Sequence, residues 1–145
     1  MEIKVCSEED YVRMVEIWER AVRATHDFLS EDDINSIKEK LPALYFPSVE
    51  LFGADSENGF VGFIGFSDDK IEMLFVDPSF HGCGIGSRLI EFAKKRGFSL
   101  VDVNEQNPRA LRFYKKHGFV VASRDEYDDA GRPFPILHLA LAPEA

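Results

Sequence analysis

Three glycines at every second position, Gly82, Gly84 and Gly86, give this 145-residue chain its most chemically suggestive stretch. They lead directly into a helical period, with Ile85, Leu89, Phe92 and Ala93 on one face and Arg88, Glu91, Lys94 and Lys95 on the other. A glycine-rich turn opening a helix offers N–H groups without intrahelical partners and the positive end of the helix dipole. Both favour phosphate or diphosphate, and the missing Cβ atoms let such a group approach the backbone. The dinucleotide pattern G-x-G-x-x-G is absent, and no G-K-[S/T] follows to make a P-loop. Another phosphate-bearing ligand or a plain connection is left. Cys83, inside the turn, has the setting of a reactive thiol, or it is a small residue that fits.

The elements around this turn follow from periodicity. Ile71, Met73, Leu74, Phe75 and Val76 form a nearly continuous apolar run, as in a strand covered on both faces, and Asp77-Pro78 stops it. Upstream, Glu2–Cys6 alternates as a first strand. Ser7 with Asp10 caps a helix whose apolar face is Tyr11, Met14, Val15, Trp18, Ala21 and Val22, ending near Ala24. Ser30 with Asp33 caps a second helix carrying Ile34, Ile37, Leu41 and Leu44, disturbed by Pro42. Strands are predicted at Val49–Ala54 and Phe60–Phe66, joined by the turn Asp55-Ser56-Glu57-Asn58-Gly59.

Downstream, Phe98–Val103 reads as a strand. Asn107-Pro108 opens a helix with Asn as cap and Pro at the first position, and His117-Gly118 ends it. Phe119–Ser123 and Ile136–Leu141 complete the set, separated by a polar linker from Arg124 to Pro135. The order β-α-α-β-β-β-α-β-α-β-β predicts an α/β fold with a mixed sheet and helices on both faces, in a single domain over residues 1–145.

Net charge is −9, unfavourable to nucleic acid as a partner. The charge is unevenly spread. Residues 1–80 carry 7 Lys/Arg against 18 Asp/Glu, and residues 119–145 carry 2 against 5. Residues 81–118 carry 8 against 3, so the one basic segment contains the glycine turn. No run approaches the roughly 20 apolar residues of a membrane span, no leader pattern is visible, and Cys6 and Cys83 lack metal or disulfide spacing. A cytoplasmic protein without membrane or metal partner, monomeric or homodimeric, is expected.

HGCGIG at 81–86 followed by NEQNPRALRFYKKHGF at 104–119 resembles the GNAT superfamily of acyl-CoA-dependent N-acetyltransferases. Asn107, Ala110, Phe113, Tyr114, Gly118 and Phe119 fill the family's second motif, and the element order matches along the whole chain. The likeness is to small single-domain bacterial members, which carry a comparable ATHDFLS stretch and a GRP-F-P segment. His81 stands where the family usually has Arg or Gln. If His81 supplies charge when protonated, coenzyme affinity should fall as pH rises.

The resemblance implies acetyl-CoA as co-substrate and a fold whose sheet is mostly antiparallel. His81, Gly82, Cys83, Gly84, Ile85, Gly86 and Ser87 would cradle the diphosphate, with Ala110, Phe113, Tyr114 and Lys116 contributing from the second motif. The pantetheine arm would lie along Leu74, Phe75 and Val76, where a backbone N–H polarises the thioester oxygen. Asn107 either contacts pantetheine or simply caps its helix. Tyr114 suits a general acid, since a phenol titrates near ~10 against ~8.5 for a thiol, or else it is a core aromatic. Glu72 is the carboxylate base of many members or a surface residue, and His26 is a base, a substrate contact or a turn histidine. Tyr127, Asp128 and Asp129 bind a cationic amine or form a solvated loop. Direct transfer to the amine of a small molecule or peptide is implied. Acetylation of a protein lysine or N-terminus, and acyl-CoA sensing without turnover, are the alternatives.

Overall fold

A computed structural model of the chain describes residues 1–57 and 59–143. Seven strands form one sheet: β1 (Glu2–Val5), β2 (Glu50–Ser56), β3 (Gly59–Ser67), β4 (Lys70–Val76), β5 (Leu100–Asn104), β6 (Phe119–Asp125) and β7 (Ile136–Leu141). Their spatial order is β1-β2-β3-β4-β5-β7-β6, antiparallel everywhere except between β4 and β5. Four helices cover it: α1 (Tyr11–Thr25), α2 (Glu31–Lys40), α3 (Ile85–Lys95) and α4 (Pro108–Lys116). The mixed sheet with helices on both faces is the predicted architecture.

Each face has its own core. Met14, Ile17, Trp18 and Val22 of α1 pack with Ile34, Leu41, Phe46 and Phe63 on one side. Ile85, Leu89, Ile90 and Ala93 of α3 pack with Ile64, Phe66, Val101, Val103, Tyr114 and Leu139 on the other. The uninterrupted apolar character of β3 reflects burial on both faces.

Boundaries shift for identifiable reasons. The second helix does not continue to Leu44; α2 ends at Lys40 and the chain passes through a π turn, Leu41–Tyr45, and a 3-10 turn, Phe46–Ser48. Pro42 has no N–H to donate to the preceding turn, so the ladder cannot go on unchanged. The fifth strand starts at Leu100 because Phe98 turns inward and stacks on Phe66 at 3.9 Å between ring centres. Of the predicted β2–β3 turn, Asn58 lies outside the described residues.

The feature that positions the site is a split in the sheet. β4 and β5 pair only through Lys70↔Leu100 and Ile71↔Val101. The next residue, Glu72, is an extra residue in the β3–β4 register, where Gly65 faces Met73 and Phe66 faces Ile71. A bulge bends and twists a strand, and this one stands where β4 leaves β5. Beyond it, no strand pairs with Leu74–Val76 on the β5 side among the described residues.

Candidate functional site

The split opens a cleft of about 510 Å³, lined by β4, β5, α4, the glycine turn and the C-terminal end of α1. Its character differs along its length.

At one end lies the start of α3. The 3-10 turn Pro78–Phe80 delivers the chain into the glycine turn, where Gly82 and Gly84 have φ of +83° and +78°. That left-handed region is disfavoured for residues with a Cβ, which accounts for glycine at both positions. Gly84 is the N-cap and brings no side chain to bond the first amides, so Ile85, Gly86 and Ser87 open α3 without a side-chain acceptor from the cap. Gly86 permits a close approach of another kind, since a Cβ there would stand 3.3 Å from the Phe113 ring. His81, Arg109 and Lys116 bring basic side chains to this end of the cleft. One guanidinium nitrogen of Arg109 stands 3.4 Å from Nδ1 of His81. Arg donates only, so that ring nitrogen is the acceptor and carries no hydrogen. The guanidinium of Arg109 brings a permanent positive charge to this position.

The middle of the cleft is the free edge of β4. Asp77 N–H donates to Val61 at 2.8 Å, which fixes the phase of the antiparallel ladder. By alternation Phe75 and Met73 turn their polar groups to β3, while Leu74 and Val76 turn theirs to the cleft. A β-strand edge of this kind accepts an extended, amide-bearing ligand as an added strand. Across the gap stands α4. Asn107 caps it, its carboxamide oxygen accepting from Ala110 N–H at 3.2 Å, so the capping role is realised and Asn107 also lines the cleft. Tyr114 is 6 % exposed and stands edge-on to Phe113 and Phe119. Its hydroxyl has no protein partner among the described residues, yet it is not a sealed, unsatisfied atom, so it meets the cleft. Burial pushes its pKa well above the usual phenol range, which keeps the proton in place at neutral pH.

The far end gathers Ala21 and Thr25 of α1 and its C-cap His26 with Glu72 and Met73 from β4 and Asp102 from β5. Thr25 Oγ1 donates its single hydrogen to Ala21 O at 2.8 Å. It therefore accepts, at 2.7 Å, from Nδ1–H of His26, and in the neutral ring Nε2 bears the lone pair. Burial lowers the His26 pKa, outweighing the nearby Asp27, so the ring is neutral at physiological pH. Phe28 packs against it at 5.3 Å and is itself packed on Phe134.

The two cleft carboxylates differ. Asp102 is held by Lys70 and by His138 Nδ1 at 2.7 Å, whose Nε2 in turn meets Asp125 at 2.6 Å. Asp125 and Asp102 raise the His138 pKa, and Asp102 is paired with Lys70 and His138 within the protein. Glu72 accepts from the Ser67 hydroxyl at 2.7 Å, makes no ion pair among the described residues, and is exposed, with Lys70 near enough to sense its charge.

Most residues singled out in the sequence thus meet at one cleft: Glu72, Leu74, Phe75, Val76, His81, Gly82, Gly84, Ile85, Gly86, Ser87, Asn107, Ala110, Phe113, Tyr114, Lys116 and His26. Cys83 does not. Its amide donates to Phe80 O at 3.2 Å within the turn, and the residue is exposed without lining the cleft. Asp128 is absorbed by its own loop, accepting from Ala130 and Arg132 amides at 3.0 and 2.8 Å.

Sequence reasoning passed over Arg109, although it follows Asn107 by two residues. It also read Asp77 only as a strand stop. Asp77 is 4 % exposed, accepts from Ser79 N–H at 3.0 Å, and is held by Arg13 at 3.1 Å and Arg20 at 3.2 Å from α1. Burial alone would raise its pKa, but the Ser79 amide and the two guanidinium groups together hold it below the usual carboxylate range. The available signal was the seven-residue spacing of Arg13 and Arg20, which puts both on one side of α1.

Comparison with known proteins agrees with this geometry. Residues 47–121 match the model of the acetyltransferase (GNAT) domain. Peptidyl-lysine N-acetyltransferase YjaB of Escherichia coli K12 is 43 % identical over 134 residues, 91 % of this chain and 90 % of its own length. The solution structure of apo YjaB from E. coli superimposes with a TM-score of 0.90 at 39 % identity, covering 99 % of this chain and 98 % of that one. PaiA N-acetyltransferase from Thermoplasma acidophilum, solved in complex with coenzyme A, shares the fold at a TM-score of 0.70 and 23 % identity, with 95 % and 98 % covered. The split sheet, the glycine-opened helix and these likenesses together place the chain in the GNAT family of acetyltransferases.

Proposed function

We propose that this acetyltransferase transfers the acetyl group of acetyl-CoA directly to the side-chain amine of a peptide lysine. The observation that carries the reading is the convergence of His26, Glu72 and Tyr114 on one cleft with the unpaired edge of β4. The name of the 43 % identical E. coli relative supports the acceptor class.

The residues present fit the co-substrate. Ile85, Gly86 and Ser87 at the helix start would hold the diphosphate, with Arg109 and Lys116 adding charge. Leu74 and Val76 would pair with the pantetheine amides. Acetyl-CoA supplies an activated acyl group with a thiolate leaving group.

The remaining work falls to the chain. Glu72 attracts the lysine ammonium, since it is the cleft carboxylate without an ion pair among the described residues. Nε2 of His26 accepts the proton that the amine must lose, a role its neutral state and fixed tautomer allow. A β4 amide facing the cleft donates to the carbonyl oxygen as negative charge builds there. Tyr114, protonated at neutral pH, donates to the departing sulfur. Cys83 lies outside the cleft, so no acetyl-cysteine step is invoked.

An acceptor screen read by free thiol release tests this, using lysine-containing peptides, free amino acids, spermidine and aminoglycosides with acetyl-CoA. Peptide lysine should give the highest kcat/KM. Turnover confined to small amines would overturn the acceptor assignment, and coenzyme binding without thiol release from any acceptor would favour a sensor.

A further inference from the structure

Ser87, at the third position of α3, is one of the residues lining the coenzyme end of the cleft. Its hydroxyl stands 3.1 Å from Nε2 of His117, the residue that ends α4. The other nitrogen of that ring, Nδ1, stands 3.4 Å from Glu91 of α3, and the ring is 12 % exposed. Lys94 holds the arrangement from below, bonded to the His117 carbonyl at 3.1 Å and to Glu91 at 3.3 Å. The charged groups facing His117 are thus Glu91 and Lys94 from α3, with Lys115 and Lys116 next to it in α4. β7 contributes Leu141, beside Gly118.

From these contacts we infer that His117 acts through Ser87 as a proton-linked positioning residue for the coenzyme diphosphate. A carboxylate only accepts, so Nδ1 facing Glu91 carries a hydrogen. In the neutral ring Nε2 then bears a lone pair, and the one hydrogen of Ser87 is directed to it. The serine oxygen consequently presents lone pairs to the cleft, where phosphate oxygens would meet them unfavourably. When a proton from solvent adds at Nε2, that nitrogen becomes the donor and Ser87 Oγ the acceptor. The serine hydrogen is released and can point at a phosphate oxygen. Diphosphate binding and proton uptake at His117 are therefore linked, each favouring the other. His81, the histidine first suspected of this role, has its Nδ1 committed to Arg109 as an acceptor, and so is the weaker candidate.

This inference rests on the coenzyme reading of the cleft. The test is calorimetric titration with dephospho-coenzyme A, which keeps the diphosphate but lacks the 3′-phosphate whose own titration would obscure the result. Repeating it in buffers of different ionisation enthalpy near pH 7 counts protons. The wild type should take up a fraction of a proton, and affinity should fall by up to about tenfold per pH unit as His117 loses its proton. Ser87→Ala and His117→Gln should each abolish the uptake and flatten the profile, whereas His81→Asn should retain it. Zero uptake by the wild type, or uptake that persists in Ser87→Ala, would overturn the linkage while leaving the coenzyme site intact. Failure of the wild type to bind at any pH would overturn both.

Discussion

The two ends of the cleft are built differently. The proposed coenzyme end is largely main chain from one continuous segment: a left-handed glycine turn, three helix-opening amides and the edge of a strand that ends nine residues before the helix begins. The proposed acceptor end is side chains brought from three separated segments, with His26 from the C-cap of α1, Glu72 from β4 and Asp102 from β5. Main-chain recognition depends on backbone shape, so it tolerates changes in most side chains and suits a co-substrate of fixed structure. Side-chain recognition can change one residue at a time, which suits an acceptor that differs between relatives. Tyr114 stands between, where the proposed reading brings the two substrates together.

The sharpest way to test that division is at its boundary. Tyr114→Phe removes one hydroxyl and leaves the ring packed between Phe113 and Phe119. Turnover should fall by about 10²-fold or more, the usual scale for losing a positioned acid, while coenzyme affinity changes by less than about threefold. Thiol-release kinetics beside calorimetry separate the two. Equal losses in both would place Tyr114 in binding, and the boundary would move.

A probe of the acceptor end comes next in size. His26→Gln should lower kcat/KM by about 10–10²-fold with little change in coenzyme affinity. Because burial lowers the His26 pKa, the neutral base persists below the ordinary histidine range, and wild-type activity should decline only at lower pH still. The acid limb of the profile should vanish in the variant. An unchanged profile would assign it to another group and leave Glu72 as the candidate base.

The same contrast explains what could be read beforehand. The glycine spacing, the apolar run of β4 and the Asn107–Tyr114 motif are local patterns, and they placed one end of the cleft and its boundary residue directly. The sheet split was not legible locally: it depends on the extra residue at Glu72 and on β5 pairing for only two positions. Nor was the tautomer of His26, which depends on Thr25 spending its hydrogen on Ala21. Cys83 shows the converse limit. The resemblance implied a place in the cradle, but the turn engages its amide with Phe80 and the residue is exposed and does not line the cleft. Asp77 looked like punctuation because its partners lie 57 and 64 residues away.

Asp77 also qualifies the contrast, because it is where the two ends are tied together. It follows β4 directly, opens the turn that leads to the glycines, and is gripped by Arg13 and Arg20 of the helix that ends at His26. Asp77→Asn keeps the shape and the Ser79 contact but removes the charge that both guanidinium groups face. Stability should drop by about 2–3 kcal/mol, the scale of a hydrogen bond to a charged group lost in a buried setting. The folded-state pKa of Asp77 is lowered, so its stabilisation is present above the unfolded carboxylate value and is lost as pH falls through the folded one. Urea unfolding at pH 7 should therefore separate wild type from variant, and the gap should narrow only as pH falls below the ordinary carboxylate range. If the clasp also sets the spacing between α1 and the turn, the variant will raise KM for both substrates together. A rise confined to the acceptor would mean that the coenzyme end holds its shape without α1, and that the two ends are independent after all.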